Sequence, residues 1–266
     1  LISAFESAGD RREIVTTAVE HPAVLTTCKY LQDTRGATVH LVPVDAHGRL
    51  DLEDYRRALG PRTELASVMW ANNETGTLFP IERLAQWAHD VGALFHTDAV
   101  QAVGKVPISV QGTAIDLLSL SGHKIHGPKG IGALYVRKGL RLRPYLRGGH
   151  QERGRRAGTE NVAGIVGLGK AADLASSRME ADNAHVRALR DHLETAILTR
   201  FAETTAVGDH DNRLPNTTNV TFDGFDSEAL IVNLSRAGIA VSSGSACASG
   251  SMEPSHVLRA MGVTSA

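Results

Sequence analysis

Short apolar runs alternate with helical spacings along the first half of the chain. Glu13 to Val19 is a β-rich run that ends at Glu20-His21-Pro22, where the proline suits the first turn of a helix. Ala23 to Asp33 reads as that helix, with Val24, Cys28 and Leu31 on one face. Ala37 to Val44 reads as a strand and Asp51 to Leu59 as a short helix. Leu65 to Trp70 is a further strand, and it runs into the polar loop Ala71-Asn72-Asn73-Glu74-Thr75-Gly76. Ile81, Leu84, Ala85 and Ala88 fall at i, i+3, i+4 and i+7, the spacing of one buried helical face, and Gly92 ends that helix. Leu94 to Thr97 is a strand leading to Asp98. Ile115 to Leu120 and Gly132 to Val136 follow as strands. Strands alternating with helices predict an open, mostly parallel sheet with helices on both faces.

The pattern changes after Val136. Arg137 to Arg156 is rich in arginine and glycine and reads as loop. Asn161 to Phe201 reads as one or two long helices. Thr217 to Phe222 reads as a strand, Ser227 to Arg236 as a helix and Ile239 to Ser242 as a strand. The small-residue loop SSGSACASGS comes next, then a helix over Pro254 to Met261. This is a second, smaller α/β unit. Its boundary is placed near residue 180, which gives a large domain over 1–180 and a small one over 181–266.

Composition narrows the possibilities. With 266 residues, 42% of them hydrophobic, the chain can bury a sizeable core. A formal net charge of −1 drives binding to neither nucleic acid nor an anionic membrane. No apolar run reaches the ~18 residues of a membrane helix. Only Cys28 and Cys247 are present, so there is no disulfide framework and no metal-ligand pair spacing. A reducing, cytoplasmic setting is the expectation. The opening LISAFESAGDRREIV is no secretory leader, and it reads as the middle of a domain in a longer protein.

Candidate chemistry lies on four separated loops: His21, Asn72 to Gly76, Asp98 to Gln101, and Ser121 to Lys124. In a parallel sheet, loops that follow strands share one edge, where α/β proteins place their sites. No dinucleotide fingerprint follows a strand, and the Walker and HEXXH strings are absent. A lysine and a carboxylate on neighbouring strand ends fit pyridoxal phosphate. Lys124 would hold the cofactor covalently, and Asp98 would pair with the pyridinium nitrogen. His21 could stack on the ring, Ser121 and His123 hold the phosphate, and Gln101 and Asn73 bond the phenolic oxygen. Each residue also has a plainer role. Asp98 fits a helix cap, His21 a helix entry, Asn72 and Asn73 turn positions, and Gln101 the surface.

The strings NNETG, HTDAVQ, SGHKIHGPKG, RRAGTEN and SSGSACASGS, in that order, resemble the NifS/IscS-type cysteine desulfurases. These belong to the class V aminotransferase superfamily of pyridoxal-phosphate enzymes, with the type I fold and a seven-stranded-type sheet. The resemblance covers nearly the whole chain. It implies that Lys124 carries the cofactor and that Asp98 contacts the ring nitrogen. It matches His21, Asn73 and Gln101 to other ring contacts, and Ser121 and His123 to phosphate contacts. It matches Thr159 to a phosphate contact made from a second subunit, which implies a homodimer. Cys247 matches the persulfide-forming cysteine, and its small neighbours leave the sulfur accessible. Its thiol would need nearby positive charge or dipoles to ionise. Cys28, between Val24 and Leu31, reads as an inert core residue.

The activity implied is release of sulfur from L-cysteine as a persulfide on Cys247, with alanine as product. His21 is placed to act on the substrate thiol. The sulfur would pass to a protein acceptor or scaffold in iron–sulfur cluster assembly, tRNA thiolation or DNA phosphorothioation. The alternatives are a selenocysteine lyase or small aminotransferase of the same superfamily, and a silent scaffold with this fold. The family's N-terminal phosphate loop and its C-terminal substrate-carboxylate arginine lie outside these 266 residues.

Overall fold

A computed structural model describes residues 1–7, 9–243 and 254–263. The helices are α1 (Ile2–Ser7), α2 (Pro22–Arg35), α3 (Leu52–Ala58), α4 (Ile81–Asp90), α5 (Gln151–Gly154), α6 (Val162–Arg200), α7 (Ser227–Arg236) and α8 (His256–Ala260). The main sheet holds β1 (Glu13–Thr17), β2 (Thr38–Val42), β3 (Thr63–Ser67), β4 (Leu94–Asp98), β5 (Leu117–Ser121) and β6 (Gly132–Val136). Their order is β2-β1-β3-β4-β5-β6. The first five run parallel, and β6 returns antiparallel to β5. The fold is therefore the mixed α/β architecture with a largely parallel central sheet that the alternation predicts. Strand β1 lies between two neighbours and is buried along its whole length, as expected where helices cover both faces.

Local sequence explains the helix positions. His21 caps α2, Pro22 occupies its first turn, and Gly36 ends it in the left-handed region at φ 69°. Helix α4 buries Ile81, Leu84, Ala85 and Ala88, the four positions marked by the 3.6-residue period. Tyr55 of α3 donates its hydroxyl to the Leu84 carbonyl at 3.1 Å, so α3 and α4 pack as a pair. Helix α6 has 39 residues, about 58 Å at 1.5 Å per residue, and crosses residue 180 without a break. Its first half meets the turn that follows β5, where Ala171 is buried beside Gly127. Its second half meets residues 213–218 through the buried Arg190 and Glu194.

The second unit differs from its expected form. Thr217–Phe222 narrows to β8 (Asn219–Phe222), which pairs antiparallel with β7 (Thr204–Val207). Ile239 to Ser242 is in no strand. Ile239 and Val241 stand about half exposed, and no described strand lies beside them to complete a ladder. Helix α8 docks on the large unit, where Val257, Leu258 and Met261 join the core cluster that includes Val19, Trp70 and Phe79.

Candidate active site

Four loops leave the carboxyl edge of the sheet, and hydrogen bonds tie the first three together. After β1, Val19 and Glu20 are buried and His21 is half-buried. The His21 Nδ1 accepts from the Ala23 N–H at 3.1 Å, so in the neutral ring the proton sits on Nε2. The helix-entry role is thus real, and it fixes the tautomer. After β3, the backbone keeps pairing with β4: the Val68 N–H donates to the His96 carbonyl and the Trp70 N–H to the Asp98 carbonyl. Asn72 then holds the polar loop. Its Oδ1 accepts from the Glu74 and Thr75 N–H groups, at 2.8 and 3.0 Å, and its Nδ2 donates to the Val19 carbonyl at 3.1 Å. Asn73 is carried beside it, half-buried.

Asp98 ends β4. Its Oδ1 accepts from the Val100 N–H at 3.0 Å. Burial pushes its carboxyl above the usual range, opposed by that bond and by His21. It has no ion-pair partner among the described residues. Gln101 follows in the same turn, and its carbonyl accepts from the Lys105 Nζ at 2.9 Å.

Strand β5 ends at Ser121, and a 3₁₀ turn, Gly122–Ile125, carries Lys124. Gly122 is required there. A Cβ would lie 2.9 Å from the Ile131 side chain and 3.2 Å from two carbonyl oxygens. The Gly122 N–H donates to the Ile131 carbonyl at 2.9 Å, and its own carbonyl accepts from the Gly127 N–H at 2.8 Å. The turn is therefore closed on itself. Ser121 Oγ and His123 Nδ1 lie 2.7 Å apart. The Lys124 ammonium is half-buried and pairs with no carboxylate among the described residues.

Lys124 lines a cavity of about 350 Å³ together with Lys105, Ile125, His126, Asn183 and Asn216. Burial and the like charge of Lys124 bring the Lys105 ammonium down to about 8. The other candidates do not line this cavity. Asp98 feels the charge of His21, and Ser121 bonds His123. Thr159 is exposed ahead of α6 and bonds to none of them. Cys247 lies outside the described residues.

Three groups at this edge were not singled out by sequence. Glu20 is wholly buried. Its Oε1 accepts from the Met69 N–H at 2.7 Å and the Thr17 hydroxyl at 2.9 Å, while Oε2 has no partner among the described residues. Burial raises its carboxyl to about 8, so it is mostly a neutral acid at pH 7. Glu74 is buried, and it too is pushed up. His96 lies between Ser67 Oγ at 2.8 Å and Ser119 Oγ at 2.9 Å, bridging β3, β4 and β5. Burial depresses its imidazole to about 3. No spacing signal marks a buried lone acid or a bridging imidazole. Only the topology does.

The profile of the class-V aminotransferases matches residues 1–265. The chain belongs to the class-V aminotransferase family. It is 64% identical over 263 residues to a cysteine desulfurase of Gluconacetobacter diazotrophicus, covering 99% of this chain and 66% of that protein. It is 58% identical to the cysteine desulfurase NifS of Azotobacter vinelandii, covering 99% of this chain and 65% of that one. Among solved structures, a NifS-like protein superposes with a TM-score of 0.90 at 39% identity, over 98% of this chain and 69% of that one. The chain thus spans about two-thirds of the length of these relatives. Class-V aminotransferases depend on pyridoxal phosphate, and the edge suits that group. A half-buried amine without a counter-ion matches an aldehyde partner. A largely desolvated carboxyl with no ion-pair partner among the described residues matches a protonated ring nitrogen.

Proposed function

We propose that the full-length protein is a pyridoxal-phosphate-dependent L-cysteine desulfurase. The observation that carries the reading is the placement of Lys124 and Asp98 on the ends of adjacent parallel strands, each lacking a described counter-ion. The 58–64% identity to proteins named cysteine desulfurase supports it. When bound, the cofactor supplies an electron sink at the substrate Cα. Lys124 holds the cofactor and then moves the Cα proton. Asp98, ionised against the ring nitrogen, keeps that nitrogen protonated. Asn73 and Gln101 serve the phenolic oxygen, and Ser121 and His123 serve the phosphate. Thr159 serves the phosphate of a second copy, which makes the working unit a homodimer. His21 would pack on the ring. With Nδ1 engaged by the Ala23 amide, it handles the substrate thiol proton through Nε2.

The Cys247 thiolate attacks the substrate sulfur. An S–S bond forms as the substrate Cβ–S bond breaks, and alanine leaves with no outside oxidant. The persulfide then passes to a protein acceptor, and the acceptor's surface selects among cluster assembly, tRNA thiolation and DNA phosphorothioation. The reducing cytoplasm preserves the thiol. No described helix is long and apolar enough to cross a membrane. We place the boundary between the large and small units near residue 180, within α6.

The test uses full-length protein. Cys247→Ala is expected to keep the cofactor's visible absorbance and release no sulfide from L-cysteine. Lys124→Ala is expected to lose both. Sulfide release by Cys247→Ala at the wild-type rate would remove the persulfide step.

A further inference from the structure

Eight residues after Cys247, the chain lies against the carboxyl edge of the sheet at Ser255. Two consecutive side chains fasten it there. Ser255 Oγ donates to Glu74 Oε2 at 2.5 Å in a buried contact. The same oxygen accepts from the Leu258 N–H at 3.2 Å, capping α8. The His256 Nε2 lies 2.9 Å from the Glu20 carbonyl. A carbonyl only accepts, so this nitrogen carries the proton. Glu74 follows Asn73 and Glu20 precedes His21, so both attachment points adjoin candidate site residues.

Behind the clamp, Val257, Leu258 and Met261 sit in the main core. The Asn72–Gly76 loop is itself held from the far side. Asn219 Nδ2 donates to the Glu74 carbonyl at 3.4 Å, and the Leu214 N–H donates to the Gly76 carbonyl at 2.9 Å. Glu74 therefore joins the lysine-bearing unit, the β7–β8 unit and the return of the cysteine segment.

We propose that Ser255 and Glu74 form a positioning clamp that fastens the downstream end of the Cys247 segment to the 72–76 loop. The proposal rests on the desulfurase reading. An extended chain of eight residues reaches at most about 28 Å, so Cys247 lies within that distance of the clamp. Lys124 and Asp98 stand on other loops and do not depend on the clamp. Its loss should therefore slow the attack by Cys247 while sparing proton movement at Cα.

Ser255→Asp separates the clamp from the helix cap. Aspartate caps a helix as well as serine does, but here it sets a second carboxylate against Glu74. Adding Glu74→Gln removes that opposition and supplies an amide donor. In full-length holoenzyme, Ser255→Asp is expected to slow persulfide formation on Cys247 about tenfold or more. Cofactor absorbance and exchange of the substrate α-hydrogen with D₂O should stay within about twofold. Ser255→Asp with Glu74→Gln should recover most of the persulfide rate.

A wild-type rate in Ser255→Asp, an equal loss in both reactions, or no recovery in the double variant would overturn the clamp. If wild-type protein forms no persulfide from L-cysteine, the desulfurase reading fails on its own. The clamp is then decided by amide hydrogen exchange over residues 72–76, which must quicken in Ser255→Asp and slow again in the double variant. Unchanged exchange overturns it.

Discussion

Two regions of this molecule treat their carboxyls in opposite ways. Where α6 meets residues 209–218, each has an arginine. Glu194 takes both terminal nitrogens of Arg213 at 2.6 Å and is pulled down to about 2. Asp209 takes Arg49 through Nε and Nη2, at 2.7 and 2.8 Å, and is likewise pulled down to about 2. At the carboxyl edge of the sheet, Glu20, Asp98 and Glu74 show no ion pair with arginine or lysine among the described residues, and burial pushes all three up. The first arrangement holds an inter-element joint together. The second gives up stability to keep acids neutral or ready for an incoming cation, which is the mark of a functional site.

The largest expected effect comes from removing the charge at the ready site. Asp98→Asn should lower turnover about 10²-fold or more and weaken cofactor retention. With no carboxyl to desolvate, the cofactor-free variant should melt about 3 °C higher. A variant that loses stability and keeps turnover would erase the contrast. In the paired region the expectation reverses. Arg213→Met strands a carboxylate that has only a tenth of its side chain exposed, which should cost about 3 kcal/mol in urea unfolding. Adding Glu194→Leu should restore most of that, because the charge left stranded is then gone.

The smallest effect is on the shape of the pH–stability curve. Glu194 has its folded value depressed, so its contribution is present above its ordinary 4.5 and is lost as pH falls toward about 2. Glu20 has its folded value raised. Between 4.5 and about 8 the native state binds a proton that the unfolded chain has lost, so stability declines as pH rises through that window. Glu20→Gln should flatten the alkaline limb, by an amount on the order of 2 kcal/mol between pH 6 and 9, and leave the acid limb alone. Thermal melts across pH read both limbs in one series.

What the sequence disclosed follows from which signals are local. The α4 face was legible because four apolar residues repeat at helical spacing. Strand β6 and helix α7 keep their expected bounds because their runs are short and cleanly bordered. Strand β7 was missed because Thr204 and Thr205 give no apolar alternation, and its pairing with β8 is a tertiary event. The reading of Ile239 to Ser242 as a strand followed β-branched composition alone, which tertiary context overrides. At the site, SGHK and HTDAVQ pointed to Lys124 and Asp98 through residue type and strand-end position. Glu20 and Glu74 stayed hidden beside His21 and Asn73, because a glutamate next to a polar residue looks like solvated surface until the fold buries it.

The reversal from β5 to β6 has a practical consequence. Ser121 and Gly132 are register partners, so the segment bearing Lys124 starts and finishes on the same rung. The strand that follows carries the chain to the opposite rim, where Lys138 and Gly139 are exposed and Gly139 takes φ 93°. A tag, fluorophore or surface linkage grafted at those two residues would sit a strand's length from the lysine. It would leave the reactive rim open to any protein that docks there.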